Sequence, residues 1–191
     1  MIRLLEMNRL DVKDILLRSD TKTDVSKTVS EIIDHVRKNG DSALYEYTLK
    51  YDGVSLASLR VTPSEIDRAL EETEPGFIGI LERAAKNIRA FHSRQVRNSF
   101  VINDQPGIVM GQKVIPMEKV GLYVPGGTAA YPSTVLMDTI PAKIAGVSKI
   151  VMVTPPGRDG KVNAAILAAA SVAGVDEIYK VGGAQAIAAL A

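Results

Sequence analysis

The chain has no cysteine, only two histidines, and almost no charge imbalance: 23 Lys and Arg stand against 22 Asp and Glu in 191 residues. Without cysteine there are no disulfides, no thiolate nucleophile and no cysteine metal site. A formal net charge of +1, with both signs intermixed, supplies no concentrated positive field for a polyanion, so nucleic-acid binding is not expected. Nowhere does the sequence approach the roughly 18–20 consecutive apolar residues that a membrane span requires. The opening MIRLLEMNRLDVKDILL is broken by Arg3, Glu6, Asn8, Arg9, Asp11, Lys13 and Asp14. It lacks the apolar core and small-residue cleavage site of a signal peptide. These absences lead us to expect a cytoplasmic location. What remains is ordinary globular material, 46% hydrophobic and 24% charged, which argues against disorder.

Residues 1–98 read as a mainly helical N-terminal region. In TDVSKTVSEIIDHVRKNG, Val25, Val29, Ile32, Ile33 and Val36 recur at helical spacing, and Gly40 is a natural stop. The next helix is expected to take Asp41 as its N-cap. It carries Leu44, Tyr47, Thr48 and Tyr51 on one side before Asp52-Gly53 turns the chain. Thr62-Pro63-Ser64-Glu65 combines an N-cap, a first-turn proline and the glutamate of a capping box. The following helix is expected to face a core through Ile78, Leu81, Ala85, Ile88 and Phe91.

Residues 99–191 follow a different pattern. Segments 99–103, 107–117 and 119–124 are short, rich in Val and Ile and separated by Gly and Pro, as strands are. From residue 119 strands and helices alternate. KVGLYV is followed by a helix over TVLMDTIPAKIAG that Pro141 should kink or shorten. SKIVMVT is followed by helix VNAAILAAASVAG, and DEIYKV by AIAALA. Such β-α-β-α-β-α order with nearly continuous apolar strands predicts a parallel sheet covered by helices. Ligands of open α/β sheets bind at the carboxyl ends of the strands. Three loops fall there: Pro125-Gly126-Gly127, Pro155-Pro156-Gly157 and Gly182-Gly183-Ala184-Gln185. Glycine lets the backbone approach a diphosphate, and a helix N-terminus offers N–H groups to it. Neither double glycine forms a GxGxxG or Walker A motif, so a plain structural turn is the competing reading of each.

The blocks VGLYVPGG, STVLM, PAKIAG, KIVMVTPP and VGGAQAIAALA resemble the histidinol dehydrogenase family. So do GDSALYEYTLKYD, NIRAFH and QPGIVMGQKVIPMEKV, in order along almost the whole chain. The resemblance implies an incomplete Rossmann-like α/β fold of aldehyde-dehydrogenase type. It also implies NAD-dependent oxidation of L-histidinol through L-histidinal to L-histidine, a zinc ion, and a homodimer with shared active sites. Carried over to matching positions, it marks Tyr123 and Gln185 as NAD contacts. Pro125, Pro155 and Tyr51 then line the same groove, and Ser133 reaches the substrate pocket. For each a structural reading stands alongside. Tyr51 and Tyr123 could be core aromatics with a wet hydroxyl. Gln185 could cap a helix terminus, and Ser133 could be the N-cap of its helix.

The chain is about half the length that the resemblance leads one to expect. No catalytic residue and no metal ligand is assigned here; the zinc ligands and the glutamate–histidine pair of the family are expected downstream of Ala191. His35 reads as a solvated helix residue and His92 as a packing or capping one, since no HxxxH or HExxH spacing pairs them. The 191 residues alone are therefore expected to be inactive and, with sheet edges exposed, prone to self-association. Two other readings stand beside the enzyme. One is a catalytically inactive nucleotide-binding module, and the other is half of a split enzyme needing a C-terminal partner.

Overall fold

The computed structural model describes residues 24–126 and 130–191. Helix α1 (Ser26–Asn39) buries Ile32 and Val36 and half-buries Val29 and Ile33, while Val25 lies exposed just before it. Gly40, at φ 54°, breaks the helix as expected, but it also serves as N-cap of α2 (Asp41–Tyr47), so Asp41 is the first helical residue rather than the cap. An acidic side chain there still faces the positive end of the helix dipole. Helix α2 widens into a π-helical turn, Thr48–Asp52, closed by Gly53 in the left-handed region.

The capping box forms in full. The Thr62 hydroxyl accepts from the Glu65 N–H at 3.3 Å, and Glu65 Oε2 accepts from the Thr62 N–H at 2.8 Å. It starts α3 (Pro63–Glu72), which precedes α4 (Pro75–His92). On α4, Leu81 and Ala85 are buried, whereas Phe91 is 63% exposed and edge-on to His92 rather than in the core. It lies to one side of the buried stripe, which runs from Leu81 and Ala85 through half-buried Ile88 to half-buried His92.

Strands β1 (Phe100–Gln105) and β2 (Ile108–Gln112) form an antiparallel ribbon, exposed along its length. The second strand ends at Gln112, short of the expected 117. The three strands β3 (Lys119–Tyr123), β4 (Lys149–Thr154) and β5 (Glu177–Lys180) form the predicted parallel sheet in the order β3-β4-β5. Their crossovers are α5 (Pro132–Ile144) and α6 (Ala164–Ala173). Helix α5 runs through Pro141 without stopping. Helix α7 (Gly183–Leu190) follows β5.

Alternation along the strands divides the molecule into two layers. Val124, Met152 and Ile178 point into a core with α3 to α6, centred on Leu136, Ile140 and Ile166. Tyr123, Val153, Tyr179 and Val181 point to the opposite face, against Ile32 and Val36 of α1, Leu44 of α2 and Ala186 of α7. Helices α5 and α6 thus cover one face and α7 the other. The outer edge of β5 is already taken, because the Val61 N–H donates to the Ile178 carbonyl and the Lys180 N–H to the Leu59 carbonyl. No helix of the described residues is long and apolar enough to cross a membrane.

Candidate functional site

Because the three strands are parallel and in register, their carboxyl ends bring Tyr123, Thr154 and Lys180 to one rim of the sheet. The loops leaving that rim close on one another. Pro155 sits between two glycines: a Cβ on Gly126 would lie 3.0 Å from the Pro155 carbonyl oxygen, and one on Gly182 only 2.7 Å from the Pro155 Cβ. The glycines are thus required by close backbone approach, not only by turn geometry. Gly127 lies outside the described residues.

At the start of α7, Gly183 has φ +66° and its N–H donates to the Tyr123 hydroxyl at 3.2 Å. That bond satisfies one of the N–H groups a helix N-terminus leaves unpaired. Gln185 makes no cap hydrogen bond to α7. Its side chain folds back under Gly183, so that a Cβ there would fall 2.6 Å from Oε1. Gln185 is 1% exposed, and its Oε1 has no partner among the described residues. An orphaned buried carbonyl costs about 1–3 kcal/mol.

Tyr123, Pro155 and Gln185 are therefore assembled at one rim, with Pro125 exposed on the loop leaving β3. Tyr51 stands on the π-helical turn, 51% exposed, stacked on Tyr47 with centroids 5.6 Å apart and with the Lys50 ammonium 5.1 Å from its ring centre. No hydrogen bond joins it to Tyr123 or Gln185. Ser133 is exposed in the first turn of α5, but the N-cap is Tyr131 and Ser133 makes no capping bond, because Pro132 takes the first helical position. A cavity of about 300 Å³ opens beside this rim on the α6 face, between Gly126, Thr154, Asp159, Lys161 and Asn163. Asn163 Oδ1 caps α6 by accepting from the Ala165 N–H at 2.9 Å.

Sequence reasoning passed over the acidic group on the π-helical turn. Asp52 Oδ2 and Thr48 Oγ1 are both buried without a partner among the described residues, and burial pushes the Asp52 carboxyl above its ordinary value. The only signal in the sequence was an Asp-Gly turn, which does not announce a π turn.

Metal ligation finds no support here: among the described residues no three His, Asp or Glu side chains cluster. His35 Nε2 lies 2.9 Å from Glu46 Oε2, and His92 Nδ1 lies 2.6 Å from Gln95 Oε1.

A parallel sheet with helices on both faces and glycine-lined loops gathered at the carboxyl ends of its strands places the molecule among the α/β proteins. More specifically, the chain belongs to the histidinol dehydrogenase family, whose model matches residues 17–191. It is 60% identical over 168 residues to histidinol dehydrogenase from Clostridium acetobutylicum, covering 88% of this chain and 39% of the relative. The Methanosarcina mazei enzyme is 46% identical over 190 residues, covering 99% and 44%. The crystal structure of histidinol dehydrogenase from Elizabethkingia anophelis superposes with a TM-score of 0.86 at 38% identity, covering 93% of this chain and 41% of that one. The chain spans about two-fifths of the length of these relatives and corresponds to their N-terminal portion.

Proposed function

We propose that this chain supplies the N-terminal, NAD-binding part of an enzyme that oxidises L-histidinol through L-histidinal to L-histidine. Family membership supports the reaction, and Gln185 supports the cofactor assignment. Its unpartnered buried oxygen, beside a glycine cradle that any Cβ would fill, fits a polar ligand at the α7 N-terminus. When bound there, NAD⁺ supplies the hydride acceptor for each oxidation. Gln185 would offer its amide to the cofactor, and Tyr123 and Pro155 would hold its rigid parts against the rim. Pro125 and Tyr51 would extend the groove, and Ser133 would face the substrate.

The described residues do not fit zinc, because no three His, Asp or Glu side chains cluster among them. Zinc ligands and the groups that move protons and activate water belong, in this reading, to the part of the family's chain that is not matched here. The working form is then a cytoplasmic homodimer, and L-histidinol is its small-molecule substrate.

One paired experiment tests the reading. The chain is titrated with NAD⁺ by calorimetry, and absorbance of NADH is followed with L-histidinol and zinc. Saturable NAD⁺ binding without turnover is expected. Undiminished NAD⁺ binding by a complete family member carrying a disabled rim would remove the cofactor assignment. Steady NADH formation by the 191 residues would overturn their catalytic incompleteness. Restored turnover on adding the remaining part of the family's chain would support a split-enzyme arrangement.

A further inference from the structure

Resting on the cofactor reading of the rim, we infer that Thr48 and Asp52 are positioning residues for the bound nucleotide. The π-helical turn that carries them is a two-state support. It keeps Tyr51 stacked on Tyr47 in the free chain and delivers the ring to the cofactor when the site fills. Thr48 is fully buried, yet its Oγ1 has no partner among the described residues, and neither has Asp52 Oδ2. Two unpartnered polar atoms on one five-residue turn are a penalty that the free form carries. The turn itself is uncommon. π-Helical bonding takes one residue more into the turn than α-helical bonding does, and such turns concentrate at functional sites.

Both ends of the turn are held, so movement is confined to it. Upstream, Ala43 and Leu44 of α2 are buried in the layer that also takes Tyr123, Ala184 and Ala186. The turn therefore leaves α2 on the α7 face of the sheet, the helix in which Gln185 lies buried. Downstream, Leu56 and Val54 lie against Gly160, where a Cβ would fall 3.2 and 3.5 Å from their methyl groups. Between these anchors stands Gly53, at φ +72°, with nothing within 4 Å of where a Cβ would be. A left-handed glycine with room around it can act as a hinge. Tightening the turn to α-helical bonding releases one residue toward Gly53 and rotates Tyr51 off Tyr47. The same rotation carries Thr48 and Asp52 out of their dry surroundings toward hydrogen-bond donors. The two orphaned atoms thus oppose the free form and not the closed one, which is the differential that a ligand can exploit. Tyr51, half-exposed and already stacked on one flat ring, then exchanges Tyr47 for a heteroaromatic ring of the cofactor.

The experiment uses the 191-residue chain with two substitutions at one position. Thr48→Val keeps the side-chain shape and removes the unpartnered hydroxyl, whereas Thr48→Ser keeps the hydroxyl. Denaturant melts, calorimetric titration with NAD⁺ and the ring resonances of labelled tyrosines are recorded for each. Thr48→Val relieves the free form alone. It should therefore raise the stability of the free chain and weaken NAD⁺ binding about fivefold, because stabilising the binding-incompetent form lowers apparent affinity by the same factor. Thr48→Ser should behave as the parent does. At saturating NAD⁺ the Tyr51 ring resonances should shift, as departure from the Tyr47 stack requires. A side chain that only packs would lose stability and affinity together, so a Thr48→Val chain that melts earlier and binds more weakly overturns the proposal. Unchanged affinity overturns it too, as do Tyr51 resonances that stay in place at saturation. In each of these cases saturable binding by the parent leaves the cofactor reading standing and removes only the support role. Absence of NAD⁺ binding by the parent chain also removes the support role, and the disabled rim of a complete family member then decides the cofactor reading by itself.

Discussion

The hydroxyl of Tyr123 accepts the N–H of Gly183 at 3.2 Å, tying the last residue of β3 to the first turn of α7 across the carboxyl rim of the sheet. These residues are 60 positions apart, so the bond couples two loops that only tertiary structure brings together. It also places the phenol where a bound anion would compete for the same N–H.

Substitution of the two rim side chains should separate structural from ligand roles. Tyr123→Phe keeps the ring and loses the bond; Gly183 is exposed and water can replace the acceptor, so about 0.5–1 kcal/mol of stability should be lost. Gln185→Met removes the orphaned oxygen and keeps the volume. It should raise the stability of the isolated chain by about 1 kcal/mol and weaken NAD⁺ binding in the complete enzyme. Denaturant melts and calorimetric titration read the two effects independently. If Gln185→Met binds NAD⁺ as the parent does, Gln185 leaves the site.

Alanine at two glycines should behave differently although both Cβ positions are crowded. Gly183→Ala meets a left-handed φ of +66° and the Gln185 Oε1 at 2.6 Å, and should cost about 1–3 kcal/mol. Gly121→Ala lies in a strand and meets the Leu190 side chain, its methyls at 2.7 and 2.8 Å and its Cγ at 3.0 Å, a flexible side chain that can rotate away. It should cost less than about 1 kcal/mol, offset in part by the better strand propensity of alanine. Equal losses in urea melts would mean that backbone strain is not what distinguishes them.

These contrasts also show what was legible beforehand. The βα alternation, the capping box at Thr62 and the rim position of Tyr123, Pro155 and Gln185 followed from local periodicity and from a family resemblance. Both are properties of short windows or of residues in order. Phe91 reads as core from its apolar character, yet the covered stripe of α4 continues through half-buried His92 and leaves Phe91 to one side. Ser133 has the chemistry of a cap, and Pro132 displaces it by beginning the helix two residues earlier. Neither the Tyr123–Gly183 bond nor the burial of Gln185 could be read in advance, since each depends on loops meeting across the sheet.

The Glu65–Lys180 pair should produce an acid-sensitive limb of stability. Lys180 is only 8% exposed and its Nζ donates to Glu65 Oε1 at 2.9 Å, while Glu65 Oε2 serves the capping box. Burial raises the Glu65 carboxyl, but the Thr62 N–H, the Lys180 ammonium and the Thr62 hydroxyl outweigh it and leave it below its ordinary value. A depressed folded-state value contributes stability present above the unfolded value and lost as pH falls through the folded one. Glu65→Gln should therefore lower stability by about 1–3 kcal/mol at neutral pH, a figure reduced from that of a fully buried pair because Glu65 is partly exposed. The gap to the parent should shrink below about pH 4. A gap that stays constant in thermal melts across pH 3–7 would show that the cap, not the charge, carries the effect.

Asp52 should show the opposite sign. Burial holds its carboxyl above the ordinary value, and Oδ2 has no partner among the described residues. A raised folded-state value means that its stabilising contribution is fully present below the unfolded value, about 3.9, and is lost as pH rises through the folded one. At neutral pH the ionised group therefore works against the fold, and an uncharged isostere is relieved of that penalty. Asp52→Asn should be at least as stable as the parent at pH 7 and should lose its relative advantage on acidification, the reverse of Glu65→Gln. Melting temperatures of both variants and the parent over pH 3–7 test this directly. If Asp52→Asn is less stable than the parent at pH 7, the ionised carboxylate has a stabilising partner, and the π-helical turn holds it for that contact.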